Sequence, residues 1–215
     1  EMCIRDRDLI NSVLSSLNSI VANSWNGYYN ALYQVNNVIS IVEDLPESDL
    51  RNLIIGEAHY FRAYIYHSLV TRWGGVPIQR VNTMDKPFRD SEEAVWAFIE
   101  EELETALAFL GTSSSCYYVS RDTALALKAR VMLERGKKTE AAALAEGLIK
   151  DGKYKLDSFD KIFRGKTNTE VIFSFQCLAE ESNITISTLF YTYAHPNHGS
   201  YVYRPTNDVM NMYDD

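Results

Sequence analysis

The residues able to do chemistry are few and scattered. His195-Pro196-Asn197-His198 brings two imidazoles close in the chain, but no carboxylate or thiol stands at ligand spacing beside them, so they read as loop histidines. Glu100, Glu101, Glu102 and Glu104 form a dense acidic group that could suggest the paired carboxylates of glycoside hydrolysis. On a helix they fan around one side, and a solvated face is the expected reading. Glu57 and Arg62 lie beyond i, i+4 spacing and are each expected to pair with charges on other helices. His59 and His67 are expected to fill contacts between helices. No GxSxG, HExxH, P-loop, GxGxxG or EF-hand sequence occurs. No catalytic residue, metal ligand or cofactor site is assigned, and the chain is not expected to be an enzyme.

Binding chemistry is better represented. The chain carries 14 Tyr and 3 Trp, more amphipathic aromatic surface than a core requires. Most of these rings can sit half-buried with a hydroxyl on water, but they also suit stacking against sugar rings or peptides. Residues 179–206 form a long connection without helical or strand period, holding Tyr191, Tyr193, His195, Tyr201 and Tyr203 among Asn, Ser, Thr, Gly and Pro. A long loop rich in aromatics reads as functional rather than disordered. Trp25-Asn26-Gly27-Tyr28-Tyr29-Asn30 gathers rings and amides around an expected helix break near position 24. Flat C–H faces of a sugar stack on rings while amides bond its hydroxyls. The candidate ligand-binding residues are therefore Trp25, Asn30, Tyr191, Tyr193, His195, Tyr201 and Tyr203. The alternative for the first two is a core tryptophan and a helix cap, and Trp73 reads as structural.

The elements that must hold these residues are mostly helical. Leu9, Val13, Leu17, Ile20 and Trp25, then Tyr28, Leu32, Val35, Val38 and Ile39, give helical stripes from Asp8 to about Val42, as two helices or one bent one. Ser48 or Asp49 can cap the next helix. In that helix Ile54, Ala58, Phe61, Ile65 and Leu69 form one apolar stripe, with Tyr60, Tyr64 and Ser68 on a neighbouring face. Arg72, Gly74, Gly75 and Pro77 then end it. Asp90, as N-cap, opens a third helix with Val95, Ile99, Leu103, Ala106 and Leu110 inward. Arg121–Arg135 and Lys138–Asp151 are two helices joined at Gly136, with small residues allowing close approach, as in a tetratricopeptide repeat. Glu170–Gln176 (EVIFSFQ) reads as a strand. The fold expected is mainly α: stacked helical hairpins of tetratricopeptide-like type, with a small irregular or β segment and long loops towards the C-terminus. Residues 8–151 would be the helical scaffold and 152–215 the strand and aromatic loop region of a single domain.

A formal charge of −8 argues against nucleic acid as a partner, since no cluster of Lys and Arg appears. No apolar run approaches membrane-spanning length. Cys3, Cys116 and Cys177 are odd in number, far apart and lack metal spacing, so free or buried thiols are expected.

Several blocks fall in an order that resembles the SusD/RagB family, the substrate-binding lipoproteins of Bacteroidetes outer membranes. They are Trp25-x-x-Tyr28 with Asn36-Asn37, then Gly56-Glu57-Ala58 through Arg62-Ala63-Tyr64 to Gly74-Gly75-Val76-Pro77. Arg121 with the Ala-rich pair through Tyr154-Lys155-Leu156, and Glu170-Val171-Ile172-Phe173, follow. His59 departs from the family, where a basic residue is more usual. The resemblance implies capture of an oligosaccharide or other nutrient at the outer-membrane surface. Delivery to a SusC-like TonB-dependent transporter and membrane association only through a lipid anchor not present in this chain are also implied. It further suggests that the sequence is the N-terminal half to two-thirds of a family member. The competing expectation is a tetratricopeptide-like interaction module that binds a peptide.

Overall fold

The computed structural model describes residues 18–113, 115–163, 168–176, 190–196, 198–199 and 206–212. Contacts divide the chain into two compact units, Ser19–Ser174 and a second made of Glu1–Asn18 with Phe175–Asp215.

Five helices build the first unit: α1 Ser19–Glu43, α2 Asp49–Trp73, α3 Glu92–Phe109, α4 Arg121–Glu134 and α5 Lys138–Lys150. Each packs against the next in chain order, giving a stack of helical hairpins. A short α6, Phe159–Phe163, follows, and α7, Asn207–Met210, belongs to the second unit. No residue among those described is in a β-strand.

α2 lies at the centre and is buried on nearly all sides. Ile55, Ala58, Tyr60, Ala63, Ile65, Tyr66, Leu69 and Val70 are all inside. Side chains such as Tyr66 and Leu69, with no exposed surface, each contribute roughly 1.5–3 kcal/mol of apolar burial. Ser48 caps the helix by accepting from the Arg51 amide at 3.2 Å. Gly56 lets Leu110 close on the helix, since a Cβ there would stand 2.8 Å from Leu110 Cγ.

The helix ends because Gly74 takes φ +67° and returns its N–H to the Val70 carbonyl at 2.9 Å. Gly75 is required for a different reason: a Cβ would lie 2.2 Å from the Asp90 carbonyl oxygen. Arg89 donates to the carbonyls of Gly75 (2.6 Å) and Trp73 (2.9 Å), and the Asp90 carboxylate accepts from the Ile78 amide at 2.8 Å. Asp90 is thus occupied across the turn, and Ser91, not Asp90, caps α3 through the Ala94 amide. All five inward residues expected of α3 are buried: Val95, Ile99, Leu103, Ala106 and Leu110.

α4 begins at a reciprocal capping box between Ser120 and Thr123, and Gly136 at φ +76° turns the chain into α5. Leu133 is exposed and its neighbour Met132 is buried. The expected break near position 24 is absent. α1 runs uninterrupted through Gly27, whose missing side chain faces open space. The expected strand at 170–176 forms no ladder among the described residues. The stretch is irregular and held by separate bonds, Glu170 and Val171 amides to Asn168 Oδ1 and the Ser174 amide to the Cys116 carbonyl at 2.9 Å.

Candidate ligand-binding site

Trp25 belongs to an aromatic cluster on α1 and the end of α2. Its ring meets Trp73 edge-on with centroids 5.4 Å apart and Tyr29 at 4.9 Å, while Tyr28 meets Trp73 at 6.0 Å. Tyr29 donates its hydroxyl proton to the Pro77 carbonyl at 2.9 Å, and Arg72 sits 5.6 Å from the Tyr28 centroid. Burial pushes the Tyr29 phenol well above its ordinary value, and Tyr66 and Asp90 add to the effect. Rings used this way pin the Gly-Gly-Val-Pro turn, which is the part expected of Trp73. Asn30 is exposed on the same helix, about 140° around the axis from Trp25 at 3.6 residues per turn. With no break between them, Trp25 and Asn30 do not face one site.

Three loop candidates fall together in the second unit. Tyr191 and His195 stack face to face, centroids 3.9 Å apart and planes 12° from parallel. The stack closes a tight turn: Thr192 O accepts from the amides of His195 (3.1 Å) and Gly199 (3.1 Å), and His195 O accepts from the His198 amide (2.7 Å). His198 takes φ +45°, and a Cβ on Gly199 would stand 1.9 Å from the Tyr191 carbonyl oxygen. Tyr193, at the tip, is 75% exposed beside the stack. An exposed phenol in the same turn as a stacked phenol–imidazole pair carries the ring and hydroxyl chemistry that sugar stacking uses. Tyr201 and Tyr203 lie outside the described residues. Among those described, no group of three or more His, Cys, Asp or Glu could hold a metal ion. Cys116 is a free thiol; Cys3 and Cys177 are outside the described residues.

The acidic run on α3 is not all solvated. Glu102 is 2% exposed and accepts from Arg62 Nε (2.6 Å) and Nη2 (2.8 Å), and from His59 Nδ1–H (2.8 Å). Arg62 also donates to Asn36 Oδ1 (3.2 Å) and the Arg80 carbonyl (2.9 Å), so the site joins α1, α2, α3 and the connection at 79–82. Glu101 holds Arg80 in a bidentate pair, Glu100 accepts from Arg135 and Lys137, and Glu104 accepts from Lys128. These contacts are structural. His67 likewise donates to Glu134 at 2.6 Å. Glu57 departs from expectation in the other direction. It makes no ion pair among the described residues, and partial burial raises its carboxyl above the ordinary range.

Two depressions on the first unit were not visible in the sequence. One, about 470 Å³, is lined by Tyr60, Leu127, Arg130, Glu170, Val171 and Phe173 among others. The other, about 270 Å³, is almost wholly apolar and lies between α4 and α5 beside Tyr154 and Ile172. Both exist because residues 170–173 run past the helical hairpin without pairing into a sheet. The strand-like pattern of EVIFSFQ concealed that outcome.

The five long helices form a stack of helical hairpins. A family model described as "Starch-binding associating with outer membrane", SusD-like, matches residues 4–133. The chain therefore belongs to the SusD-like family. It is 29% identical over 164 residues to SusD-like protein P38 of Formosa agariphila, a match that covers 74% of this chain and 32% of that protein. A SusD-like protein of Bacteroides fragilis superposes with a TM-score of 0.70 at 26% identity, covering 81% of this chain and 39% of the other. A solved structure with xylogluco-oligosaccharide gives a TM-score of 0.75 at 23% identity, over 84% of this chain and 41% of the other, and shares the fold. The matches span about a third and a quarter of the length of two curated relatives, less than the half to two-thirds that the resemblance suggested.

Proposed function

We propose that this protein captures an oligosaccharide, or another nutrient, at the outer-membrane surface and hands it to a TonB-dependent transporter of the SusC type without catalysing a reaction. The family match over residues 4–133 carries the reading, since that family is described as starch-binding and outer-membrane-associated. The structural relative with xylogluco-oligosaccharide supports glycan as the cargo class. The Tyr191–His195 stack with the exposed Tyr193 supplies a surface of matching chemistry. In this reading the helical stack up to about residue 151 is the platform and the later segment carries the ligand contacts. In this reading a lipid anchor holds the protein at the membrane. No helix among the described residues is long and apolar enough to cross one.

The second reading, a peptide-binding module, draws on one observation: the apolar depression between α4 and α5. Calorimetric titration of the full-length protein against xyloglucan, laminarin and starch oligosaccharides, beside unrelated apolar peptides, separates the two. Saturable binding of one glycan class, weakened about two- to tenfold by Tyr193→Ala, is the expected result, because a stacked ring contributes on the order of 0.5–1.5 kcal/mol. Saturable binding of peptides with no response to any glycan would replace the capture reading by the peptide one.

A further inference from the structure

The depression formed by α2, α4 and residues 170–173 contains an anomaly. Tyr60 is only 3% exposed, yet its hydroxyl bonds to nothing among the described residues. A buried phenol without a partner loses the desolvation free energy of its O–H. No side-chain N or O atom among the described residues is both fully buried and unpartnered. The little surface Tyr60 retains therefore includes its oxygen, and the residue lines the depression. Burial, with Tyr64 close by, raises this phenol well above its ordinary value, so it stays protonated and remains a donor.

The rest of the lining complements that donor. Arg130 is largely exposed and among the described residues bonds through Nε alone, to Glu134 at 3.1 Å, so both Nη groups can donate outward. Glu170 accepts from the Asp157 amide through Oε2 at 2.7 Å, and its Oε1 makes no bond among the described residues. The phenyl ring of Phe173 stands edge-on to Tyr60, centroids 6.0 Å apart, and Leu127, Val171 and Ile172 complete an apolar wall. One cation and one anion cancel, which disfavours a strongly charged ligand. A phenol donor, a guanidinium donor, a carboxylate acceptor and an aromatic ring around about 470 Å³ fit a ring that carries hydroxyls on its edge and C–H groups on its faces.

We propose that this depression is a sugar-binding subsite, separate from the aromatic loop, that takes one or two neutral pyranose units of a longer glycan. Its ligand class follows from its own lining, but it shares with the capture reading the premise that the cargo is a glycan. Tyr60→Phe is a clean probe, because the lost hydroxyl has no partner among the described residues and removing it leaves the melting temperature unchanged or slightly higher. Glu170→Gln keeps the bond to Asp157 and removes the charge.

The experiment is calorimetry on the full-length protein with xyloglucan, laminarin and starch oligosaccharides of increasing length, for wild type, Tyr60→Phe, Glu170→Gln and Tyr193→Ala. The expected result is a loss of about fivefold in affinity for one long oligosaccharide in Tyr60→Phe and in Glu170→Gln. Tyr193→Ala weakens binding through its own site, and a Tyr193→Ala/Tyr60→Phe double variant is weaker than either. Unchanged affinity in Tyr60→Phe and Glu170→Gln while Tyr193→Ala loses binding would overturn the subsite and leave the capture reading standing. Loss in Tyr60→Phe with no effect of Tyr193→Ala would support the subsite and count against the aromatic loop. No response of the wild type to any glycan would overturn both.

Discussion

Arg62 and Glu102 show how one residue's environment governs its worth. Both are almost fully inside, and the guanidinium meets the carboxylate through two nitrogens, with His59 as a third donor. A buried ion pair adds little net stability over a well-packed apolar pair, but a broken one strands a charge. Arg62→Met is therefore expected to cost about 3–5 kcal/mol. Adding Glu102→Leu should restore most of that, and urea denaturation of the three variants gives the values. A single-variant loss under about 0.5 kcal/mol would mean that water, not Arg62, solvates Glu102. Half of this pair was legible in the sequence. A lone arginine on an apolar helix must find a partner, but the acidic run on α3 offered four. The clue lay in register: Glu102 is four residues from both Phe98 and Ala106, which are buried, so it shares their row. Glu101 and Glu104 do not. The loop candidates are less legible for a physical reason, since ring stacking such as Tyr191 on His195 depends on turn geometry that no period announces.

At the scale of elements, the glycines separate close approach from mere flexibility. Gly75 faces the Asp90 carbonyl at a distance no Cβ tolerates, whereas Gly27 sits exposed within α1 with nothing around its missing side chain. Alanine should act in opposite directions. Gly75→Ala is expected to lose about 1–3 kcal/mol by forcing the turn away from the start of α3. Gly27→Ala should gain about 0.5–1 kcal/mol by reducing the entropy of the unfolded chain. Thermal melts of both variants test this, and a stabilising Gly75→Ala would show that the turn moves freely. The sequence disclosed helices well because their bonds are internal and their apolar period is written locally. It misled at Glu170–Gln176 because a strand needs a neighbour: Val171, Ile172 and Phe173 have strand-like side chains but no ladder among the described residues. Gly27 misled in the opposite sense, since one glycine costs α1 less than the packing of Leu32, Asn36, Ile39 and Val42 returns.

Across the whole molecule the ionised carboxylates set the response to acid. Burial pushes the carboxyls of Glu134, Glu100 and Asp122 up, but donors outweigh it: His67 and Arg130 for Glu134, Lys137 and Arg135 for Glu100, Lys153 and Tyr154 for Asp122. All three are held below their ordinary values. Glu101 is lowered chiefly by the Arg80 hydrogen bonds. For an acid lowered on folding, the native state favours the charged form. The resulting stability is complete above the unfolded-state value and disappears as pH falls through the folded one. Glu57 works in reverse, because its raised carboxyl makes ionisation a cost at neutral pH that acid removes. Five lowered carboxyls, with Asp157 beside Lys161 the fifth, oppose one raised carboxyl, so the urea midpoint is expected to hold from pH 7 down to the ordinary glutamate value of 4.5 and then to fall. Glu134→Gln should flatten that fall, since its native contacts no longer depend on a proton. Glu57→Gln should raise the midpoint at pH 7 by an amount that vanishes as the pH drops below 4.5. These pairs tie α2 to α4, α3 to α5's approach and α4 to the segment after α5, so acid should loosen the stack between helices before it unwinds any one of them. Far-ultraviolet ellipticity that outlasts tryptophan fluorescence during acid titration is the expected order, and coincident loss of both would show that the helices do not survive without their interhelical ion pairs.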